Sequence, residues 1–247
     1  MNPKSAIKRL LPPSVLGLYT RYRNEQIQRS YESLSRAEAF EKIYASAVWG
    51  GEATDGTASS GSGSRGRYIS EYSALLKHLL QAHKIASVAD LGCGDFEVGK
   101  IIAGMVEDYT GVDIAQSMVD RNTRLHSSDR VHFVRADLAS DPLPPAGAAL
   151  VRQVLQHLSN SEIQAALANI LKTYPLVFIT EHVYTGPGGV PNRDMPHGPG
   201  TRVPLRSGVF IDQPPFNLRA EFVSDISCAP NEVLRTWATK FSSGPTK

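Results

Sequence analysis

Asp90, Asp113 and Asp137 each follow a short apolar run, and the first of them leads into a glycine-rich turn. The segment Ser87-Val88-Ala89-Asp90-Leu91-Gly92-Cys93-Gly94-Asp95-Phe96 carries apolar chain straight into Gly-x-Gly, and a helical stretch opens near Glu97. Glycines there let the backbone turn tightly and approach a ligand with no Cβ in the way. Asp113 closes the next apolar run, Tyr109 to Asp113, where an acid can accept from both hydroxyls of a ribose. Asp137 follows the third run, Val131 to Arg135, where it can accept from an adenine amino group. Each acid alone reads most simply as a helix cap or solvated loop residue. Three in register behind successive strands are much harder to read that way, because ligands of open parallel sheets bind at the carboxyl ends of the strands.

Two cofactor classes compete for such a site. The dinucleotide fingerprint asks for a third glycine where this chain has Glu97, whose carboxylate would repel a pyrophosphate. A cationic ligand suits the position better. S-adenosyl-L-methionine, with its sulfonium and amino group, fits Asp90 and its neighbours. Val-Ala-Asp-Leu-Gly-Cys-Gly, Tyr-Thr-Gly-Val-Asp-Ile and Phe-Val-Arg-Ala-Asp together resemble the successive motifs of class I S-adenosylmethionine-dependent methyltransferases over roughly residues 68–182. The resemblance implies Gly92 and Gly94 around the methionine moiety, Asp113 on the ribose and Asp137 near the adenine. The implied cofactor set is Asp90, Gly92, Gly94, Asp113, Ile114, Asp137, Leu138, Arg152 and Gln153. The chain departs from the pattern at Phe96, where many members carry a third alternating glycine.

The acceptor side is read from Ala148 to Leu158, Ala-Ala-Leu-Val-Arg-Gln-Val-Leu-Gln-His-Leu, which resembles the family's segment after the fourth strand. Arg152, Gln153 and His157 are therefore the polar groups nearest the transferred methyl. His157 is the candidate general base for a hydroxyl acceptor, and an unperturbed imidazole would put a pH limb near 6–7. The competing reading is a histidine that merely packs there. A looser resemblance, to small bacterial methyltransferases often found among surface-glycan genes, rests on Phe40-Glu41-Lys42-Ile43-Tyr44, Trp49-Gly50 and Ser60-Gly61-Ser62-Gly63-Ser64. It turns that glycine- and serine-rich stretch from a plain linker into a lid over the cofactor. Tyr44, Trp49, Ser62 and Ser64 become acceptor candidates, since aromatic faces and hydroxyls suit a sugar. His182, Asp194 and Arg206 join them from the chain beyond the fifth strand.

These groups need a scaffold. Apolar runs at 86–91, 109–113, 131–135, 148–152 and 175–180 alternate with helical stretches at 97–106, 115–127 and 160–173, which means crossover units and a parallel sheet. Helical patterns also cover 24–47 and 68–84, and two alternating segments, 217–227 and 231–241, suggest a terminal hairpin. The expected fold is α/β: a Rossmann-like, doubly wound, seven-stranded sheet with its last strand antiparallel. Residues 1–67 form a helical extension with a lid, and 68–247 the methyltransferase domain. Residues 184–217, rich in proline from Pro187 to Pro215, read as a structureless loop at the same sheet edge.

Composition narrows the function further. The chain has 247 residues, 41% hydrophobic and 20% charged, with formal net charge +2, so no global field points to nucleic acid. Two cysteines offer no zinc spacing and no apolar run approaches a membrane span, so a reduced, cytoplasmic enzyme without a metal is expected. The expected reaction is O-methylation of a sugar, glycan or other small-molecule hydroxyl. N-methylation and a non-catalytic cofactor-binding module are the alternatives.

Overall fold

The computed structural model describes residues 29–50, 59–61, 63 and 67–240, and Gln26 besides. In chain order its elements are α1 (Arg36–Ala45), α2 (Arg67–Ala82), β1 (Ser87–Leu91), α3 (Gly99–Ala103), β2 (Asp108–Asp113), α4 (Gln116–His126), β3 (Val131–Arg135), β4 (Ala148–Arg152), α5 (Asn160–Thr173), β5 (Leu176–Tyr184), β6 (Glu221–Ala229) and β7 (Glu232–Lys240). The strands form one sheet in the order β3-β2-β1-β4-β5-β7-β6. β1 to β5 are parallel, β7 is antiparallel to β5, and β6 is antiparallel to β7, so only the last strand runs against the rest. This is the expected α/β architecture.

Helices cover both faces of the sheet, which is why the central strands read as unbroken apolar runs. Successive side chains alternate between two cores. Ala89, Leu91, Val151 and Ile179 pack with α1, α4 and α5 through Ile43, Met118, Ile163 and Ile170. Val88, Leu150 and Phe178 pack with α2 and α3 through Tyr72, Leu76, Leu80 and Ile102. The order reverses at β1, whose neighbours are β2 on one side and β4 on the other. A crevice therefore opens between the carboxyl ends of β1 and β4.

Two expectations are refined. Of the helical pattern expected over 24–47, residues 24, 25, 27 and 28 lie outside the described residues, Gln26 and Arg29 are helical, and α1 begins anew at Arg36 behind a capping box formed by Ser35 and Glu38. The fifth strand continues past Thr180 to Tyr184, pairing with β7 alone beyond the parallel part of the sheet. The proline-rich segment that follows is packed. Val209, Phe210 and Ile211 enter the core, and the Asn192 side chain donates to the carbonyls of Phe210 and Pro214 while accepting from Phe210 N–H.

Candidate functional site

A cavity of about 810 Å³ lies over the carboxyl ends of β1, β2 and β4. It sits toward the upper end of the range for single-ligand pockets, with room for a nucleoside cofactor and a small acceptor. Asp90, Gly92, Asp113, Ile114, Asp137, Leu138, Arg152, Gln153 and His157 all line it, as do Tyr44, Trp49 and His182.

The glycine-rich turn is built for close approach. Gly92 and Gly94 have φ of 80° and 53°, which glycine adopts without strain. A Cβ on Gly94 would meet Ser60 Oγ and come within 3.3 Å of Tyr44 Oη. Gly94 N–H and Ala115 N–H each donate to Asp113, one to each carboxylate oxygen, at 3.0 Å. Phe96 replaces the expected glycine yet keeps the left-handed backbone, with φ of 64°. That conformation costs about 1 kcal/mol for a non-glycine residue. The ring offsets it by packing on Tyr109, Phe133 and His126 at 5.0–5.3 Å between centroids.

The described part of the serine-glycine stretch is clamped onto this turn. Ser60 N–H donates to Asp95 at 2.9 Å, and Asp95 N–H donates to Ser60 Oγ at 2.8 Å. Arg152 donates to the Gly63 carbonyl and lies over the Tyr72 ring. Ser62 and Ser64 lie outside the described residues.

Burial governs the site's electrostatics. It raises Asp90 to about 6, against the hydrogen bond donated by Tyr109 Oη at 2.6 Å, and raises Asp113 to about 6, against its backbone donors. Burial also works against the charge of Arg152. Two polar atoms on this wall, Arg152 Nε and Gln153 Oε1, are buried without a hydrogen-bond partner among the described residues. Gln153 further holds a left-handed φ of 54°, a strain that functional sites tend to store. A cradle closed to any Cβ, two unsatisfied buried groups and a pair of acids fit S-adenosylmethionine, whose sulfonium and amino group are cationic.

The acceptor wall depends on long-range supports. His157 donates from Nδ1 to the Gly200 carbonyl at 2.9 Å, so Nε2 carries the lone pair and faces the Gln156 amide at 3.3 Å. Trp49 stacks at 4.8 Å from the imidazole and donates to the Pro199 carbonyl at 3.0 Å. Burial pulls His157 down to about 4, not to the 6–7 expected of an unperturbed imidazole. His182 Nε2 lies 3.2 Å from Glu232 on the same cavity wall. Asp194 and Arg206 do not line the cavity. Asp194 accepts from Asn160 N–H at the start of α5, and Arg206 is exposed after the turn Val203–Leu205.

Sequence reasoning missed the residues that hold this wall. Glu181 is fully buried and accepts from three successive N–H groups, Val154, Leu155 and Gln156, at 2.9–3.1 Å. Burial raises it to about 7 against those bonds and the nearby Arg202. Arg202, also fully buried, donates to the carbonyls of Arg193, Leu155 and Leu158 and to Asn160 Oδ1. The one available signal was a charge at each place: Glu181 directly after an apolar run, Arg202 inside a proline-rich one.

Comparison with known proteins bears on the fold. Residues 88–174 match the family model described as a methyltransferase domain. Human N-acetylserotonin methyltransferase in complex with S-adenosylmethionine shares the fold at 15% identity and TM-score 0.52, over 84% of this chain and 60% of that one. The methyltransferase domain of bacterial CtHen1 is 20% identical over 48% of this chain and 69% of its own, with TM-score 0.44. An amino pentose methyltransferase from Micromonospora echinaspora is 19% identical over 47% and 52%, with TM-score 0.41. No curated protein matches the chain. The fold and the matched domain together define an enzyme, a methyltransferase. Its cofactor is S-adenosylmethionine. Among the described residues no helix is long and apolar enough to cross a membrane.

Proposed function

We propose that this methyltransferase transfers its methyl group to a hydroxyl of a small, neutral, sugar-like acceptor. The observation that carries the reading is the His157 imidazole, uncharged and unprotonated at Nε2, beside the Trp49 ring on the cavity wall. Gln153, Gln156 and Thr201 line the same space and offer neutral hydrogen-bonding groups, while the Trp49 face suits the C–H surface of a sugar. Asp113 and Ile114 would hold the ribose, Asp137 and Leu138 the adenine end, and Asp90, Gly92, Gly94, Arg152 and Gln153 the methionine end.

When bound, S-adenosylmethionine supplies an electrophilic methyl on a sulfonium. His157 Nε2 would take the hydroxyl proton as the new O–C bond forms and the S–C bonding pair returns to sulfur. A low pKa does not prevent this. The proton becomes strongly acidic only once oxygen bonds to carbon, so the base needs a free lone pair at working pH. The long contact from Gln156 is one that an incoming hydroxyl can displace.

The test is methyl transfer from isotopically labelled cofactor to a panel of monosaccharides, nucleotide sugars, glycolipids and amines. Mass spectrometry would locate the label. An O-methyl ether on a sugar is the expected product. Glu232 beside His182 is a carboxylate that would favour an ammonium group, so exclusive transfer to amines would replace this reading with N-methylation.

A further inference from the structure

Asp137 holds the position at which an acid is expected to read the adenine amino group, yet its carboxylate is largely committed elsewhere. Arg36 Nε and one of its terminal nitrogens both donate to Asp137 Oδ2, at 2.9 and 2.7 Å, and Ala139 N–H donates to Oδ1 at 2.9 Å. A carboxylate offers about four lone-pair sites, so only one remains, on Oδ1. The other terminal nitrogen of Arg36 donates to Glu162 Oε1 at 3.2 Å. Glu162 in turn closes the capping box of α5 with Ser159 and accepts from His197 Nδ1–H at 2.8 Å. The guanidinium is thus fixed from two sides by acids on different elements. Among the described residues three of its five N–H groups are used, and the side chain lines the cavity together with Asp137 and Leu138.

We propose that Arg36, at the start of the N-terminal helix α1, is the residue that contacts the adenine base, with Asp137 serving to orient it. A planar guanidinium can stack on a base or donate to N3 or N7, the ring acceptors that adenine and hypoxanthine share. A base read this way is recognised by its flat face and its acceptors. One read by a carboxylate is recognised by its exocyclic amino group. Helix α1 then belongs to the cofactor site, and cofactor binding is coupled to its docking. The inference rests on S-adenosylmethionine being the cofactor.

The test is calorimetric binding of S-adenosylhomocysteine, methylthioadenosine and S-inosylhomocysteine, whose base carries a carbonyl in place of the amino group. The wild type should bind the inosyl analogue within about threefold of S-adenosylhomocysteine. R36M, which keeps the apolar stem and loses the fork, should weaken S-adenosylhomocysteine and methylthioadenosine equally, by about tenfold or more, at a temperature where thermal unfolding shows the variant folded. R36K should restore little, since an ammonium neither stacks nor forks. If R36M is too unstable to measure, the analogue comparison on wild-type protein decides the question alone. More than tenfold loss with the inosyl analogue, or unchanged binding by folded R36M, overturns the proposal and returns the adenine to Asp137. A wild type that binds none of the three overturns the cofactor assignment itself.

Discussion

The two walls of this cavity are held by different means. The cofactor wall is made by backbone: Gly92, Gly94 and Phe96 in left-handed conformations, with Asp113 tied to the N–H groups of Gly94 and Ala115. These parts lie within about twenty residues of one another and form where β1 and β2 pair, while Ser60 and Arg36 join the wall from farther away. The acceptor wall is made by side chains reaching across the fold. Trp49 binds the Pro199 carbonyl and His157 the Gly200 carbonyl, while the turn carrying His157 hangs on Glu181 and Arg202. Backbone turns built on short spacings constrain what binds. Long-range side-chain supports leave an acceptor wall free to change with its loop, at the cost of two fully buried charges.

The comparison can be tested from both sides. The largest effect is expected on the acceptor wall. H157A should lower kcat by about a hundredfold or more while leaving S-adenosylhomocysteine affinity nearly unchanged. Because burial holds His157 at about 4, kcat at saturating cofactor should be flat from about pH 5 upward. A limb at 6–7 lost in the variant would mean the imidazole is less buried in the working enzyme. A variant with near-normal kcat would leave His157 as a packing residue.

On the cofactor wall, G94A should weaken S-adenosylhomocysteine by roughly tenfold to a hundredfold. The new Cβ collides with Ser60 and forces a side chain into a left-handed backbone, a strain of about 1–3 kcal/mol. Acceptor KM measured at saturating cofactor should barely change. A large KM effect would mean the two walls are not independent.

E181Q probes the buried support. An amide NH2 replaces one carboxylate oxygen, so the single remaining oxygen cannot serve all three N–H groups, at a cost of about 1–2 kcal/mol. For a chain of this size that lowers Tm by roughly 2–8 °C. An unchanged Tm would mean that Arg202 alone carries the turn.

The pH dependence follows from Asp90 and Asp113, both raised to about 6 by burial. A raised folded pKa means the folded chain holds its protons more tightly than the unfolded one. The stability these groups contribute is therefore full below about 4 and is lost as pH rises through about 6. Cofactor binding runs the other way, since ionised carboxylates accept ribose hydroxyls and attract cations. S-adenosylhomocysteine affinity should fall about tenfold per unit below pH 6 for each proton displaced, and level off above it. D113N should flatten part of that slope, and a slope unchanged by D113N would move the titration to Asp90.

The smallest effects are expected from the two charges outside the cavity. D194A should cost about 1 kcal/mol of stability through the lost bond to Asn160 N–H, with acceptor KM unchanged. R206A should change stability by less than about 0.5 kcal/mol. A raised acceptor KM in either variant would mean that their loop closes over the substrate.

The strand-helix alternation and the glycine-rich turn were legible in the sequence because both are local. A parallel strand buried on two faces must be an apolar run, and a tight turn under a ligand must be glycine. β1 to β4 and Asp90, Asp113 and the glycines follow from spacing alone. Phe96 broke the glycine pattern without breaking the geometry, since packing on Tyr109 and Phe133 offsets a strained φ that no local rule predicts. Arg36 had no signal at all. Its meaning depends on Asp137 and Glu162, about a hundred residues away and brought to it only when α1 docks. The proline-rich stretch read as structureless because its order comes from Arg202 and Asn192, whose side chains donate to the Arg193 and Phe210 carbonyls in place of a neighbouring strand, with Arg202 also tied to Leu158. Periodicity and turn chemistry act over a few residues and so are written in the sequence. The pairing of buried charges and the shift of His157 to about 4 exist only once the chain has excluded water around them, which the tertiary structure alone decides.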